Sequence, residues 1–369
     1  MKVLLIGNYL PDGQESMLRF ANLVAEGALA LGHQVRLIRP ATVFGRLPVS
    51  SFAKKYLGYI DKLIIFPFVI IRRAIWADVA HVCDHSNAFY LPFLLGKPSL
   101  VTCHDLFAVR SARGDYLQHS VGRAAKLMQS WVAFFLPRFK AIACVSAATR
   151  ADFISLFQEA TQRTHVIYLG LSYPYFRMDR SMAMARLSGI GVDAGADFFM
   201  HVGNNNWYKN RAGLLDIFAE LLKRMDTKPL LLLVGKEMTS GMLDQCDHLG
   251  ITSNVRSLSG VSNEELCALY SCSKGLIFPS LKEGFGWPVL EAHACGCPVF
   301  TTNMPPMTEV GGSGAAYFDP SDPCSASLLI YRSLGNLEVL SVKGFENSHR
   351  FSSEKMMQAY SELYRVCAE

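Results

Sequence analysis

Residues 275–299, GLIFPSLKEGFGWPVLEAHACGCPV, leave this chain few ways to fold. The apolar run 275–281 reads as a buried strand, and Gly284-Phe285-Gly286 after it can bring bare backbone close to a ligand. A helix follows. Pro288 suits its first position, where a missing N–H costs nothing, while Gly296 and Pro298 stop it. Glu291 then lies about one turn inside that helix. A helix start after a glycine loop presents unpaired N–H groups and the positive end of the dipole, which favours a phosphate. Glu283 in the loop and Glu291 on the helix flank that spot as hydrogen-bond acceptors. The competing reading is a strand-turn-helix that uses glycine only for a tight turn.

With 369 residues, half of them hydrophobic, the chain is long enough for two domains with separate cores. No stretch approaches the roughly 20 apolar residues that cross a bilayer. The start, MKVLLIGNYLPDGQ, is interrupted too soon for a signal peptide and is expected to form a first strand. Ten scattered cysteines without a Cys-x-x-Cys pair suit a reducing compartment, so the expected location is the cytoplasm. Net charge is +9 over residues 1–170 and −4 over residues 171–369. The basic half is drawn to an anionic partner, membrane lipid before nucleic acid, because no zinc finger or RNA-binding signature accompanies the charge. No nucleic acid is expected.

Residues 2–7, a loop, a helix to about Ala30 and residues 34–39 make a strand-helix-strand opening, typical of doubly wound sheets. The first loop, NYLPDGQES, holds one glycine, Gly13, and fails the Gly-x-Gly-x-x-Gly test for a dinucleotide site. Between residues 46 and 73, cations Arg46, Lys54, Lys55, Lys62, Arg72 and Arg73 surround the apolar run 63–71. Two readings stay open for it: a segment lying in an anionic membrane interface, or a core helix with solvated ends and no clear amphipathic period. A strand at 99–103 ends in His104-Asp105, and strands at 141–145 and 165–170 follow. His104 either reaches a ligand at this strand edge or is a structural histidine whose tautomer Asp105 fixes. Strand 197–202 leads through Lys209 and Arg211 into a helix from Ala212 to Leu222. Two cations at a helix start oppose its dipole, so either something negative offsets them or they are merely solvated. Further strands fall at 229–234 and 255–260, Ser262 to Glu265 reads as a capping box, and residues 351–366 have helical periodicity.

Two glutamates eight positions apart around Gly-Phe-Gly-x-Pro, followed by Ala292, Gly296 and Pro298-Val299, resemble the signature of the retaining glycosyltransferases of family 4. TTNMPPMTEVGG at 301–312, with Glu309, and Phe318-Asp319-Pro320 are similar to that family too. The resemblance covers most of the chain and is strongest over 197–320. It implies an α/β protein of the GT-B fold, two Rossmann-like doubly wound parallel-sheet domains facing each other across a cleft. The expected division is 1–170 on the acceptor side, a hinge at 171–178, a nucleotide-sugar domain at 179–350, and a last helix, 351–369, crossing back to the first domain. By resemblance Lys209 binds the donor diphosphate, with Arg211 standing in for a loop arginine that Asn204 and Tyr208 replace. Glu291 holds the ribose, Glu283 the sugar hydroxyls, and Gly284, Phe285, Gly286 and the backbone near Val261 complete the donor side. His104, Gly13 and Gln14 fall on the acceptor side, and the catalytic set is Glu283, His104 and Lys209.

His293, Cys295 and Cys297 are three potential metal ligands in five residues, but their spacing is poor for zinc and the structural reading prevails. No Asp-x-Asp occurs, which removes the common carboxylate clamp for a divalent ion, so neither metal nor cofactor is expected. A glycoside hydrolase also uses two carboxylates, yet needs no cationic site for a diphosphate. The function implied is transfer of a hexose from a nucleoside-diphosphate sugar to a hydroxyl of a glycan or lipid-linked acceptor, in surface polysaccharide or glycolipid synthesis, by a cytoplasmic enzyme peripheral to the inner membrane face. An epimerase, a phosphorylase or a non-catalytic nucleotide-sugar binder of the same fold are the alternatives.

Overall fold

The computed structural model describes residues 1–48, 50–116, 121–193 and 195–369. The side chains of residues 51–55, Lys54 and Lys55 among them, lie outside the described set. The chain forms two compact units, Met1–Ser172 with Ser353–Glu369, and Tyr173–Ser352.

Unit 1 is built on β1 (Lys2–Ile6), β2 (Gln34–Ile38), β3 (Val79–Val82), β4 (Ser99–Cys103), β5 (Ala141–Cys144) and β6 (Thr164–Val166), all parallel in the order β2-β1-β3-β4-β5-β6. The strands β3, β4 and β5 are buried at every position, so most of their residues are apolar without alternation, and the polar exceptions His81, Ser99 and Thr102 are buried as well. The last strand is shorter than the sequence pattern suggests. It stops at Val166, and after Ile167 N–H donates to the Cys144 carbonyl at 2.9 Å the chain leaves the sheet.

The helix Ser353–Ala368 belongs to this unit, and polar atoms fix its register. His81 shares hydrogen bonds with Tyr364 Oη (2.9 Å) and Thr102 Oγ1 (2.8 Å), and Thr102 with Tyr360 Oη (2.9 Å), all fully buried. Each buried polar group is thereby satisfied by another, the condition for keeping such groups in a core.

Residues 51–74 form one long helix with a π-helical stretch at Asp61–Ile65, continuing as Phe66–Ala74. Pro67 does not break it, because it falls directly after the π-helical stretch, where the regular i→i−4 ladder is already interrupted and its missing N–H removes no α-helical bond. Phe66, Ile70 and Ala74 are buried at every fourth position, while Ile64, Phe68 and Ile75 are exposed. The run therefore does have two faces. The sequence shows no period there because both faces are apolar.

Unit 2 repeats the plan with β7 (Phe198–Gly203), β8 (Leu230–Gly235), β9 (Val255–Leu258), β10 (Leu276–Phe278), β11 (Val299–Thr302) and β12 (Ala315–Phe318), parallel in the order β12-β11-β10-β7-β8-β9. The chain builds outward from β7 in one direction, then restarts beside it at β10. Such a reversal leaves a crevice at the strands' carboxyl ends, where ligands of open α/β sheets bind. In unit 1 the corresponding reversal lies between β1 and β3.

Candidate active site

At the β7/β10 reversal two loops meet. The first leaves β7 at Gly203, makes a 3-10 turn over Trp207–Lys209, passes through Asn210 in the left-handed region (φ +51°) and starts the helix Arg211–Arg224. The second leaves β10 and carries Glu283 and Gly284 to the helix Trp287–Ala294. The backbone stitches them together: Leu281 N–H donates to the Tyr208 carbonyl at 2.7 Å, and Asn210 Nδ2 to the Pro279 carbonyl at 3.2 Å.

Held this way, Lys209 Nζ reaches Glu283 Oε1 at 2.6 Å, with the two side chains only 13% and 9% exposed. The ammonium also lies over the Phe278 ring, 5.1 Å from its centre. Glu283 thus supplies the negative charge that offsets Lys209. A carboxylate and an ammonium so paired at a strand-edge crevice can hold a polyol and a phosphate side by side, the first accepting hydrogen bonds and the second donating them.

Glu291 sits inside the helix, 5% exposed, and accepts a hydrogen bond from Tyr270 Oη at 3.1 Å. Burial and then the Glu291 charge raise the Tyr270 phenol well above its ordinary range, so it stays a donor to that carboxylate. Gly286 has φ +101°, and a Cβ there would stand 2.3 Å from Met307 Cε, so the close turn before the helix needs glycine. Phe285 is buried edge-on against Phe351. Val261 follows Gly260 in the loop between β9 and the helix Asn263–Cys272, whose N-cap Ser262 and Glu265 form the capping box.

Arg211 is placed differently from Lys209. It is 3% exposed and its Nη1 donates to Asn205 Oδ1 and, at 2.6 Å, to the Lys236 carbonyl. Its Nε and Nη2 have no acceptor among the described residues. Beneath both cations lies His201, fully buried, its pKa pushed down to about 3 by burial, opposed by its bond to the Ile277 carbonyl and helped by Arg211 and Lys209. His293 spends its ring nitrogens on the Gly314 carbonyl (3.1 Å) and Asn347 Nδ2 (3.2 Å), so its role here is to join helix and loop. Glu309 lies in the first turn of the short helix Met307–Gly311.

In unit 1 the β1/β3 reversal holds a second polar cluster. Asp84, fully buried, accepts from Ser86 N–H (2.9 Å), Ser86 Oγ (2.6 Å) and Asn8 Nδ2 (2.5 Å), and His85 Nδ1 lies 3.3 Å away. Burial works against its charge, but His85, His104 and these hydrogen bonds outweigh burial and hold its pKa below the usual value. Gln14 Oε1 joins through Asn8 Nδ2, and Gly13 turns the chain before it at φ +64°. His104 Nε2 is 3.0 Å from the Cys83 carbonyl, and its ring packs edge-on against Phe20. Asp105 does not fix the His104 tautomer. Its Oδ1 accepts instead from Phe107 N–H at 3.1 Å, because the chain turns there into the helix Phe107–Arg113.

The structure thus joins Lys209 to Glu283, sets Glu291 on the adjoining helix, turns Arg211 toward Asn205 and Lys236, and gathers Gln14 and His104 near Asp84. Asn8, Asp84, His85, Tyr270 and His201 escaped the sequence reading. The polar run 84–87, close after the apolar residues of β3, was the available signal for Asp84 and His85.

The chain is similar to known proteins over most of its length. The family model described as Glycosyltransferase Family 4 matches residues 18–172, and the one described as Glycosyl transferases group 1 matches residues 189–336. An O-antigen chain mannosyltransferase B of Escherichia coli is 28% identical over 80% of this chain and 77% of its own. An MMP alpha-(1->4)-mannosyltransferase of Mycolicibacterium hassiacum is 31% identical over 50% of this chain and 41% of its own. Among solved structures, the Anabaena protein HepE in complex with UDP and glucose superposes with a TM-score of 0.75 at 15% identity, over 99% of this chain and all of that one. Sucrose-phosphate synthase of Thermosynechococcus elongatus does so with 0.75 at 18%, over 99% and 98%. The fold is therefore GT-B, and the chain belongs to the group 1 glycosyltransferases of the family 4 kind.

Proposed function

We propose that this glycosyltransferase moves a hexose, with retention, from a nucleoside-diphosphate sugar to a hydroxyl of a glycan or lipid-linked acceptor. Its setting is surface polysaccharide or glycolipid synthesis, by a cytoplasmic enzyme working at an anionic membrane face. The observation that carries this reading is the Lys209–Glu283 pair at the sheet reversal, with Glu291 one helix turn away. Lys209 steadies the departing diphosphate, Glu283 holds sugar hydroxyls and Glu291, oriented by Tyr270, holds the ribose. Gly284, Phe285, Gly286 and the backbone at Val261 shape the donor side. Arg211 supports the same loop from beneath through Asn205. On the acceptor side Gly13, Gln14 and His104 are joined by Asn8, Asp84 and His85.

In the transfer the bond from the sugar's anomeric carbon to the diphosphate oxygen breaks, and a bond to the acceptor oxygen forms on the same face. The acceptor's proton goes to the departing phosphate. The phosphates fall to Lys209 and the helix start, since the sequence has no Asp-x-Asp clamp for a divalent ion. The mannosyl transfer named for the Escherichia coli relative supports a hexose donor.

The test is binding and turnover with a panel of nucleoside-diphosphate sugars. Lys209→Ala should weaken the nucleoside diphosphate by about 10-fold or more, the size of a lost charge-assisted contact, and leave free nucleoside unchanged. Equal losses for both ligands would remove Lys209 from the phosphate. Product formed without any acceptor would instead make the chain an epimerase.

A further inference from the structure

Unit 1 exposes a series of large apolar side chains along two helices that also carry cations and no acids. On the helix Phe66–Ala74 and its flanks, Phe68 is 71% exposed, Ile75 68% and Ile64 58%, beside exposed Arg72 and Arg73. A shallow groove of about 400 Å³ is lined by Phe68, Val69, Arg72 and Arg73. On the helix Arg123–Phe135, Leu127 (60%), Trp131 and Phe134 recur at i, i+4 and i+7 and so form one stripe, with exposed Arg123 and Lys126 before it and Arg138 after it. Both helices pack against the same segment, His85–Leu94, and Leu95 at its end is half exposed as well.

The charge pattern is one-sided. No Asp or Glu occurs between Asp61 and Asp78, or between Asp115 and Asp152. Asp115 and Asp152, which bracket the second stretch, are both spent on Arg110. Cations beside exposed aromatic and aliphatic groups fit an interface that offers phosphates at its surface and hydrocarbon just below. A nucleic acid would reward the cations and gain nothing from Phe68, Ile75 or Leu127. A second copy would bring Arg72, Arg73, Arg123 and Lys126 against their own likenesses, which a two-fold interface does not tolerate.

We propose that these two helices together, and not the 46–73 segment alone, seat unit 1 on an anionic lipid bilayer, with Phe68, Ile75, Leu127, Trp131 and Phe134 entering the headgroup layer. The proposal rests on the reading above only for its lipid-borne acceptor. Vesicle binding needs no turnover, so either can fail alone.

The experiment is flotation of the full chain with phosphatidylcholine vesicles, with and without phosphatidylglycerol, at low and high salt. Binding should require phosphatidylglycerol and weaken as salt screens the attraction. Each neutralised cation should cost roughly fivefold, so Arg72→Gln with Arg73→Gln lowers the partition about 25-fold. Phe134→Ser should lower it by about 10-fold, and brominated lipid should quench a fluorescence component that Trp131→Phe removes. All of these variants should keep the wild-type melting temperature and their turnover on a water-soluble acceptor. Equal binding to both vesicle types overturns the proposal. So does no binding to either by a chain that Phe68→Ser converts from dimer to monomer, since the face would then belong to a second copy.

Discussion

Glu283 has one carboxylate and two claims on it. It neutralises Lys209 at 2.6 Å, yet a diphosphate arriving at that ammonium must take the ammonium over and then lie beside the carboxylate. Removing the charge relieves both the competition and the repulsion. Glu283→Gln should therefore bind nucleoside diphosphate about 3- to 10-fold more tightly, while turnover with the nucleotide sugar falls about 100-fold because the contact that strengthens as charge develops on the sugar is gone. Calorimetry with the diphosphate and steady-state turnover decide it, and weaker diphosphate binding by the variant sinks the idea. The residue types at this site were legible, since the Gly-Phe-Gly-x-Pro turn places both carboxylates and the dipole argument requires an anion near Lys209. Their partnership was not. Lys209 and Glu283 are 74 positions apart and meet only because β7 and β10 are neighbours in the sheet. Tyr270 was unreadable for the same reason, as its bond to Glu291 joins two helices.

The long helix of residues 51–74 shows how an element can be misread when its polar anchor is a single residue. At the start of the π-helical stretch, Asp61 is buried and accepts from Tyr9 Oη (2.8 Å) and from the backbone N–H groups of Val43 (3.2 Å), Phe44 (2.9 Å) and Gly45 (3.0 Å). Burial works against its charge, but the bonds from Phe44, Gly45, Tyr9 and Val43 outweigh burial and hold its pKa below the ordinary carboxylate value. Because the folded value is the lower one, the stabilisation is fully present above about pH 4 and is lost as the pH falls through the folded value. Asp61→Ala leaves these donors without their acceptor and should cost about 2–4 kcal/mol, with Asp61→Asn in between since one acceptor oxygen remains. Urea denaturation at neutral pH checks this. An effect below about 0.5 kcal/mol would mean that the loop at 43–45 does not depend on Asp61. Apolar runs located β1, β4 and β5, which are buried on both faces, while β3, four residues long with His81 inside it, went unread. Periodicity fell silent over 63–71 because the exposed face there is apolar too, so no pattern separates inside from outside.

Across the whole molecule, each sheet keeps a neutral histidine at full burial, and this sets how the protein responds to acid. In unit 1 His81 is pushed down to about 3, by burial first and by neighbouring His104 second. In unit 2 His201 is likewise pushed to about 3 and His293 to about 4, burial leading in both and the Gly314 carbonyl opposing it for His293. An unfolded histidine titrates near pH 6.5, so between about pH 4 and 6.5 the unfolded chain binds protons that the folded one refuses. Stability then falls as pH falls, by on the order of 1 kcal/mol per pH unit for each such histidine once the pH is well below 6.5. Two units with separate cores need not unfold together, so each should be followed with its own tryptophans, Trp76 and Trp131 in unit 1, Trp207 and Trp287 in unit 2. Both transitions should move to lower urea between about pH 7 and 5, well above the range where carboxylates such as Asp61 protonate. Substituting His293→Gln, which keeps a donor for the Gly314 carbonyl, should flatten the pH slope of unit 2 by about 1 kcal/mol per pH unit and leave that of unit 1 unchanged. If neither midpoint moves until the pH drops below about 4, the carboxylates govern acid unfolding and the buried histidines do not.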